Sequence, residues 1–394
     1  MATSAYEFRL TNRKLAVSLV LAVVPLSLFA ILTITQHSEV MEKSVGSQSQ
    51  ATAEGIAAEI NQFVRGHVIE ANLMASDSAV VATVQAANRA SANLTDAALK
   101  AKIEQTEADW NKPAGVALVN GILSSVASKA LRRKLNVDQQ FLRITVTDGS
   151  GTTVAATHKT LDYYQADEDY WQNIHAQGRG AISLTDVLYD EASKASYIGV
   201  GVPVVNEEYE FLGTFDALVD VSALGPMLKR PRAKTGARIL LVKSDGSIIS
   251  STEGQGLGAA VKSPEYAAVV DAVRSIEAQP AGFVTATLPG AGETLIAFAD
   301  AGLRGDFKSL GWTVLVAQRT SEALAPIRST ARMVLALGLL GLISVAFLLV
   351  YLSVHQRDDP GDEGFHPTAI AEPSTGLATA NEAGSELKTE GTGS

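Results

Sequence analysis

Two runs without a charged residue stand near the ends of the chain. Residues 15–34 (LAVSLVLAVVPLSLFAILTI) and 333–354 (MVLALGLLGLISVAFLLVYLSV) are each long enough to cross a hydrocarbon core of roughly 30 Å, and are expected to be transmembrane helices. The first exceeds a signal-peptide core of about 7–15 residues and no A-x-A site follows it, so it is expected to stay uncleaved. Pro25 is tolerable there because neighbouring groups can satisfy the freed carbonyl. Next, residues 36–90 contain no Pro and place Ile56, Ile60, Phe63 and Val64 at helical spacing, which predicts one long helix. It reads as a stalk, as a core helix of the outer segment, or as both at different heights. Residues 93–137 remain helical, broken by Asn111-Lys112-Pro113 and resuming over 117–135, where Arg132, Arg133 and Lys134 form a solvated end.

The period then changes from helical to alternating. FLRITVT (141–147) meets Asp148-Gly149, and TTVAAT follows, a hairpin in which Asp-Gly supplies the positive φ of a tight turn. A second strand–turn–strand unit, RILLV, Asp245-Gly246 and IISS, follows at a spacing of 97 positions and predicts two related modules in tandem. Between the two hairpins, residues 181–184, 197–205 and 211–221 read as strands. The first module ends near residue 228, and KRPRAKTG (229–236) is a linker. The second module continues with a helix (SPEYAAVVDAVRSI) and strands over 282–288, 293–300 and 312–318, with Trp312 in its core and a turn at Pro289-Gly290-Ala291-Gly292. The fold class is α+β: a long N-terminal helix and two antiparallel-sheet modules, flanked by two membrane spans. The expected divisions are a helical part (36–137), a first module (138–228) and a second module (237–330).

Charge sets the orientation. Arg9, Arg13 and Lys14 precede the first span, so residues 1–14 are expected in the cytoplasm, 35–332 outside, and the tail back inside. The flanks of the second span, Arg328 and Arg332 outside and Arg357 inside, point less clearly, and the first span is taken to dominate. The net charge of −10 divides into −6 in the tail from His355, +2 in the first 14 residues and −6 between them, which offers no footprint for nucleic acid. Residues 355–394, rich in Gly, Pro, Ser, Thr and acids, are expected to be disordered, with no room for a kinase or cyclase. The chain contains no Cys, so disulfides and thiolate metal sites are excluded.

Chemistry concentrates in residues 161–197 (LDYYQADEDYWQNIHAQGRGAISLTDVLYDEASKASY), rich in Tyr and carboxylates in a chain that is 6% aromatic. This stretch is expected to line a small-molecule pocket. Trp171 suits a pocket wall or a core, and Tyr197 likewise. Asp186, Asp190 and Glu191 with residues 167–169 lack the spacing of a calcium loop, and His158 and His175 are isolated, so no metal site is expected. EGQGLG (253–258) lacks the Lys-Ser/Thr of a phosphate loop, and no cofactor is expected. G-x-S-x-G, H-E-x-x-H and a Cys nucleophile are all absent, and adjacent carboxylates do not form a facing glycosidase pair, which argues against an enzyme.

The order of helix, strand–turn–strand, Tyr/Trp-rich loop and second strand–turn–strand resembles the double Cache ectodomain of bacterial chemoreceptors and sensor kinases. FLRITVTDGSGTTVAAT, DYYQADEDYWQ, GVGVPV…FLGTFDALVDVSAL and LGWTVLVAQ carry the resemblance across residues 36–330. It implies two PAS-like modules, the first, membrane-distal one binding the ligand, on a bacterial inner-membrane protein with a periplasmic ectodomain. In the amino-acid-sensing branch a Tyr-x4-Arg-x-Trp-Tyr pattern precedes a further Tyr and an Asp, the Arg gripping the ligand carboxylate and the Asp its ammonium. Tyr163 fits the first position, Tyr170 and Trp171 the aromatic pair, Tyr189 the later Tyr, and Asp216 or Asp220 the Asp. The Arg position holds Glu168, between Asp167 and Asp169. A carboxylate repels what a guanidinium would grip, so an amine-like, cationic or neutral ligand is expected, helped by cation–π contact. The implied protein is a sensor that signals through a separate partner, or a solute-capture protein without signalling output. Ser18 with Ala22, and Gly338 with Gly341, allow close helix packing in a homodimer.

Overall fold

The computed structural model describes residues 12–190, 195–229, 236–253, 261–307, 309–323, 325, 336, 338–348 and 350–351; side chains before Val40, and those of Met41 and Asp190, fall outside the description. Residues 1–11, most of the linker and the acidic tail thus lie outside the described residues, as do the side chains of the run 15–34. Among the described residues no single helix is long and apolar enough to cross a membrane. Leu26–Ala336 form one compact unit.

The helix α1 (Asn12–Ala75) runs for 64 residues. It stops short of the residue 90 expected from periodicity. Asp77 takes an extended conformation and its carboxylate accepts from Ala79 N at 2.9 Å, so it starts a new helix, α2 (Ser78–Ser91). Val80 and Val84 are buried beyond the break, so the apolar pattern crosses it unchanged. A cap also opens α3 (Asp96–Trp110), where Thr95 accepts from Ala98 N. The helix expected over 117–135 is two, α4 (Val116–Leu123) and α5 (Val126–Val137), because Ser125 turns out of the helix and its hydroxyl accepts from Ser128 N.

The first sheet contains β1 (Phe141–Thr147), β2 (Thr153–Ala156), β3 (Ser183–Leu184), β4 (Leu188–Asp190), β5 (Ala195–Val205) and β6 (Phe211–Asp220), ordered β2-β1-β6-β5-β3, with β4 also on β5. A short helix, α6 (Asp169–His175), precedes β3, and α7 (Leu224–Lys229) follows β6. The second sheet contains β7 (Arg238–Val242), β8 (Ile248–Ser251), β9 (Ala281–Leu288), β10 (Gly292–Asp300) and β11 (Thr313–Arg319), ordered β8-β7-β11-β10-β9, with α8 (Pro264–Val273) between β8 and β9. Each sheet places its opening hairpin beside its last strand, so the repeat read from the two Asp-Gly units is a repeat of topology. The hairpins differ in detail. Gly246 supplies the left-handed residue of the second (φ 81°), but in the first that role falls to Gly151 (φ 83°) rather than Gly149. An added Cβ at Gly151 would lie 2.3 Å from Ala166, so the same position also lets residues 163–166 pack on the turn.

One hydrophobic core joins the modules. Ile56, Ile60, Val64, Val68 and Ala71 of α1 pack with Ile144, Val146, Phe215 and Val219 of the first sheet and with Ile239, Leu241, Val314 and Val316 of the second. The opposite face of the second sheet is also apolar: Leu240, Val242, Phe298 and Leu315 pack with Val269 of α8. Trp312 is fully buried, as expected, but its Nε1 donates to Asp186 Oδ1 of the first module at 2.9 Å. Lys243 Nζ donates to Val187 O at 2.8 Å and lies 3.5 Å from Asp186 Oδ2, and Ser309 Oγ donates to Leu184 O.

Asp186→Ala leaves the buried indole N–H without its acceptor. It is expected to lower unfolding stability by about 1–3 kcal/mol, read as a lower denaturant midpoint with unchanged slope; an unchanged midpoint would remove Asp186 from the junction.

Candidate functional site

The outer face of the first sheet differs in kind from that of the second. Register pairs Thr145 with Asp216 and Arg143 with Leu218 across β1 and β6, and Asp216 with Gly201 and Leu218 with Gly199 across β6 and β5. Arg143, Thr145 and Thr147 therefore share a face with Thr214, Asp216 and Leu218, and with Tyr197, Gly199 and Gly201. The helix α6 lies on this face. Trp171 is 4% exposed, and its Nε1 donates to Thr147 Oγ1 at 2.9 Å; Thr147 Oγ1 lies 2.8 Å from Thr214 Oγ1. Its ring stacks on His175 at 4.6 Å, and Phe211 meets His175 edge-on. Trp171 is thus a buried anchor of α6. Gly201 is needed because an added Cβ would stand 2.4 Å from Ile174 Cδ1 of that helix.

The approach to α6 is fixed by hydrogen bonds. The backbone N–H groups of Tyr163 and Tyr164 both donate to Glu107 Oε2 at 2.8 Å. Thr153 N and Oγ1 donate to Tyr163 O, so the chain runs along the edge of β2. The half-buried Tyr163 ring packs 5.4 Å from Trp110, and burial raises its phenol pKa. Tyr170 OH donates to Gln165 Oε1, and Gln165 Nε2 donates to Asp162 Oδ1.

Charge then collects around one point. Burial pushes Asp216 up to about 7, opposed by the positive charge of Arg143. By surface area Asp216 is partly buried; among the described residues no donor hydrogen-bonds its carboxylate, and Arg143 acts on it only through its charge. Burial raises the Tyr170 phenol well above its usual range, reinforced by Asp216, Glu168 and Asp162 and opposed by Arg143. Burial and then Gln165, Glu107 and Asp167 act on Asp162, with a net rise. Tyr170 therefore stands among three carboxylates and one guanidinium.

The candidates named from sequence divide accordingly. Asp216 lies near enough to Tyr170 to act on it electrostatically, Tyr197 shares the sheet face of Asp216, and Trp171 and Tyr163 are packed into the walls. Asp167, Glu168 and Asp169 are exposed at the start of α6, where mutual repulsion and partial burial raise Glu168. Tyr189 pairs with Ser196, which puts it on the opposite sheet face from Tyr197, and it is 43% exposed, so it is not brought to Asp216. Asp220, the alternative acid, hydrogen-bonds Ser222 at the end of β6. Asp186 is engaged at the module junction, away from residues 167–169. Arg143 was not singled out in the sequence, although the alternation of FLRITVT already placed it on the side of Thr145 and Thr147. A cleft of about 340 Å³ lies elsewhere, where Glu54, Ala57 and Asn61 of α1 face Pro280, Ala299 and Asp300.

Two tandem modules share one topology, and only the first carries a polar face covered by α6. The chain belongs to the Cache domain family, whose dCache_1 model matches residues 37–327. Domains of this family are extracytoplasmic ligand-binding sensors of membrane receptors. No curated protein sequence matches the chain. Similar solved structures include the sensory domain of the Campylobacter jejuni chemoreceptor Tlp3 (12% identity, 73% of this chain and 98% of that one, TM-score 0.44). Another is the ligand-binding domain of the Pseudomonas aeruginosa amino-acid chemoreceptor PctC in complex with GABA (14% identity, 68% and 96%, TM-score 0.40). At these values the likeness concerns fold alone.

The raised Asp216 carboxyl gives a signed pH dependence. The unfolded group loses its proton near 3.8 and the folded one near 7. Its stabilising contribution is complete below pH 3.8 and is lost as pH rises to about 7, on the order of 2–4 kcal/mol. Asp216→Asn is expected to flatten that slope in ligand-free protein; an unchanged slope between pH 4 and 7 would reject the assignment.

Proposed function

We propose that the chain is a membrane-anchored extracytoplasmic sensor that binds a small amine-bearing ligand between α6 and the first sheet. Asp216 takes the ammonium, Tyr170 supplies an aromatic wall, and Tyr197, Tyr163 and Trp171 shape the surroundings. Asp167, Glu168 and Asp169 form a negative rim that attracts a cation. The observation that carries this reading is the contrast between matched sheets: where Leu240, Val242 and Leu315 fill the second, Arg143, Thr145 and Asp216 occupy the first. Asp216 is partly buried and among the described residues its carboxylate has no side-chain or backbone donor, so a donor that arrives with the ligand suits this face. The signal passes to a separate protein, with the chain acting as a homodimer held by two spans.

Arg143 favours one second reading. A guanidinium across from Asp216 suits a carboxylate, so an α-amino acid would engage both charges, with Arg143 doing from β1 what an Arg at position 168 would do from α6.

A thermal-shift screen of the purified full chain against amines, amino acids and amine-free organic acids tests both. Amines are expected to raise the melting temperature, more at pH 8 than at pH 6, because Asp216 must ionise; at a hundredfold excess over Kd the gain is about 2.7 kcal/mol. Asp216→Asn should abolish it. Stabilisation by amino acids alone selects the second reading, and stabilisation only by amine-free acids rejects both.

A further inference from the structure

His67 lies on α1, on the opposite side of the first module from Asp216. It is 6% exposed, and its ring is held between Phe63, at 4.5 Å, and Phe141, at 5.3 Å. Its Nδ1 lies 2.8 Å from Phe63 O. A carbonyl only accepts, so Nδ1 carries the hydrogen. The other ring nitrogen, Nε2, is buried and has no hydrogen-bond partner. A buried polar atom without a partner is rare enough to need a reason. Two carboxylates lie beside it: one ring nitrogen of His67 and one oxygen each of Glu70 and Asp138 lie within 4.8 Å of one another.

Each of the three is placed by a separate local cause. Glu70 follows His67 by three positions on α1, so both occupy one helix face. Asp138 caps the end of α5, where its N–H donates to Lys134 O at 2.9 Å. Asp138 Oδ1 accepts from Gln140 N, which orients the carboxylate at the entrance to β1. Glu70 is exposed, so its side chain can rotate inward and the site stays open to water.

We propose that His67, Glu70 and Asp138 form a binding site for a divalent transition-metal ion of the zinc type. An imidazole whose Nδ1–H is fixed by a backbone carbonyl and whose Nε2 is left without a partner, with two carboxylates beside the ring, has the outer-shell arrangement of metal-bound histidine. The nitrogen ligand distinguishes this class from Ca²⁺ and Mg²⁺, which take oxygen. Bound oxygens and nitrogens at about 2.0–2.2 Å from the ion stand roughly 3.4 Å apart, so the present group must contract, and Glu70 is the member free to move. With water completing the shell, the ion would pin α1 to the junction where α5 passes into β1. Three protein ligands, one of them exposed, make a reversible site rather than a closed structural one.

The test uses the full chain, stripped with a chelator and titrated with Zn²⁺ against a chromophoric zinc indicator, with melting temperature followed in parallel. The parent is expected to take up one Zn²⁺ per chain with a rise in melting temperature, and Mg²⁺ or Ca²⁺ at the same concentration to leave it unchanged. His67→Gln is expected to weaken uptake at least about tenfold. Glu70→Gln, a surface change that does not threaten folding, should weaken it as well. Absence of zinc uptake by the parent would overturn the proposal, as would parental affinity in Glu70→Gln or an equal response to Mg²⁺.

Discussion

A single helix has to satisfy two sheets. The apolar stripe of α1 from Ile56 to Ala71 is buried against the inner faces of both, and no other element contributes so much to the shared core. Polar contacts fix the helix along the same length: Asn61 Nδ2 donates to Ala301 O at 2.7 Å, and Arg65 pairs with Asp306 while its guanidinium lies 5.8 Å from the Phe307 ring. The inner faces under this stripe are therefore committed to α1, and the room for a ligand directly on a sheet is on the outer ones. In the second module α8 brings Val269 to the outer face and closes it with apolar packing. In the first, α6 brings Tyr170 and an acidic start, and the face remains polar.

That polar face is expensive to maintain. The partly buried carboxylate of Asp216 has no hydrogen bond among the described residues, and Arg143 acts on it only through its charge. Surrounding contacts hold the arrangement open: Gly199 and Gly201 withhold side chains that would collide with Thr185 and Ile174, and the Thr147–Thr214–Trp171 chain satisfies the remaining polar atoms nearby. A perturbed acid that stays without a protein partner among the described residues is where the proposed ligand has most to gain.

Much of this was legible in the chain. Alternation in FLRITVT and RILLV, with the Asp-Gly turns, placed the strands and the repeat, because a strand with one buried face leaves a period-two record. The interruption at Asp77 was not legible, since Val80 and Val84 keep the helical period across it and only a cap marks the end. For the candidate site, the family's spacing pointed to Tyr170 and to either Asp216 or Asp220, whereas Arg143 belongs to a strand 27 positions before Tyr170 and is placed beside β6 only through its pairing with β1. His67 is a harder case: its neighbour Glu70 is local, but Asp138 arrives from a helix end, and no spacing rule predicts that.

The geometry also constrains how binding on the outer face can be felt elsewhere. The strands under the site present Ile144, Val146, Phe215 and Ala217 to α1, all fully buried, so β1 and β6 cannot shift without carrying the helix or opening the core. The cover is held differently. The chain leaves α6 through Ala176 and Gln177, both with positive φ (45° and 60°), a conformation costing about 1–3 kcal/mol at each non-glycine residue. Trp171 on Thr147 and Tyr170 on Gln165 are what oppose release of that strain. On the proposed reading, a ligand ammonium on Asp216 would compete for the surroundings of Tyr170 and so act on one of those two restraints directly. The element that would rearrange on that reading is α6 with its left-handed exit, while β1 could transmit only what moves α1 as a body.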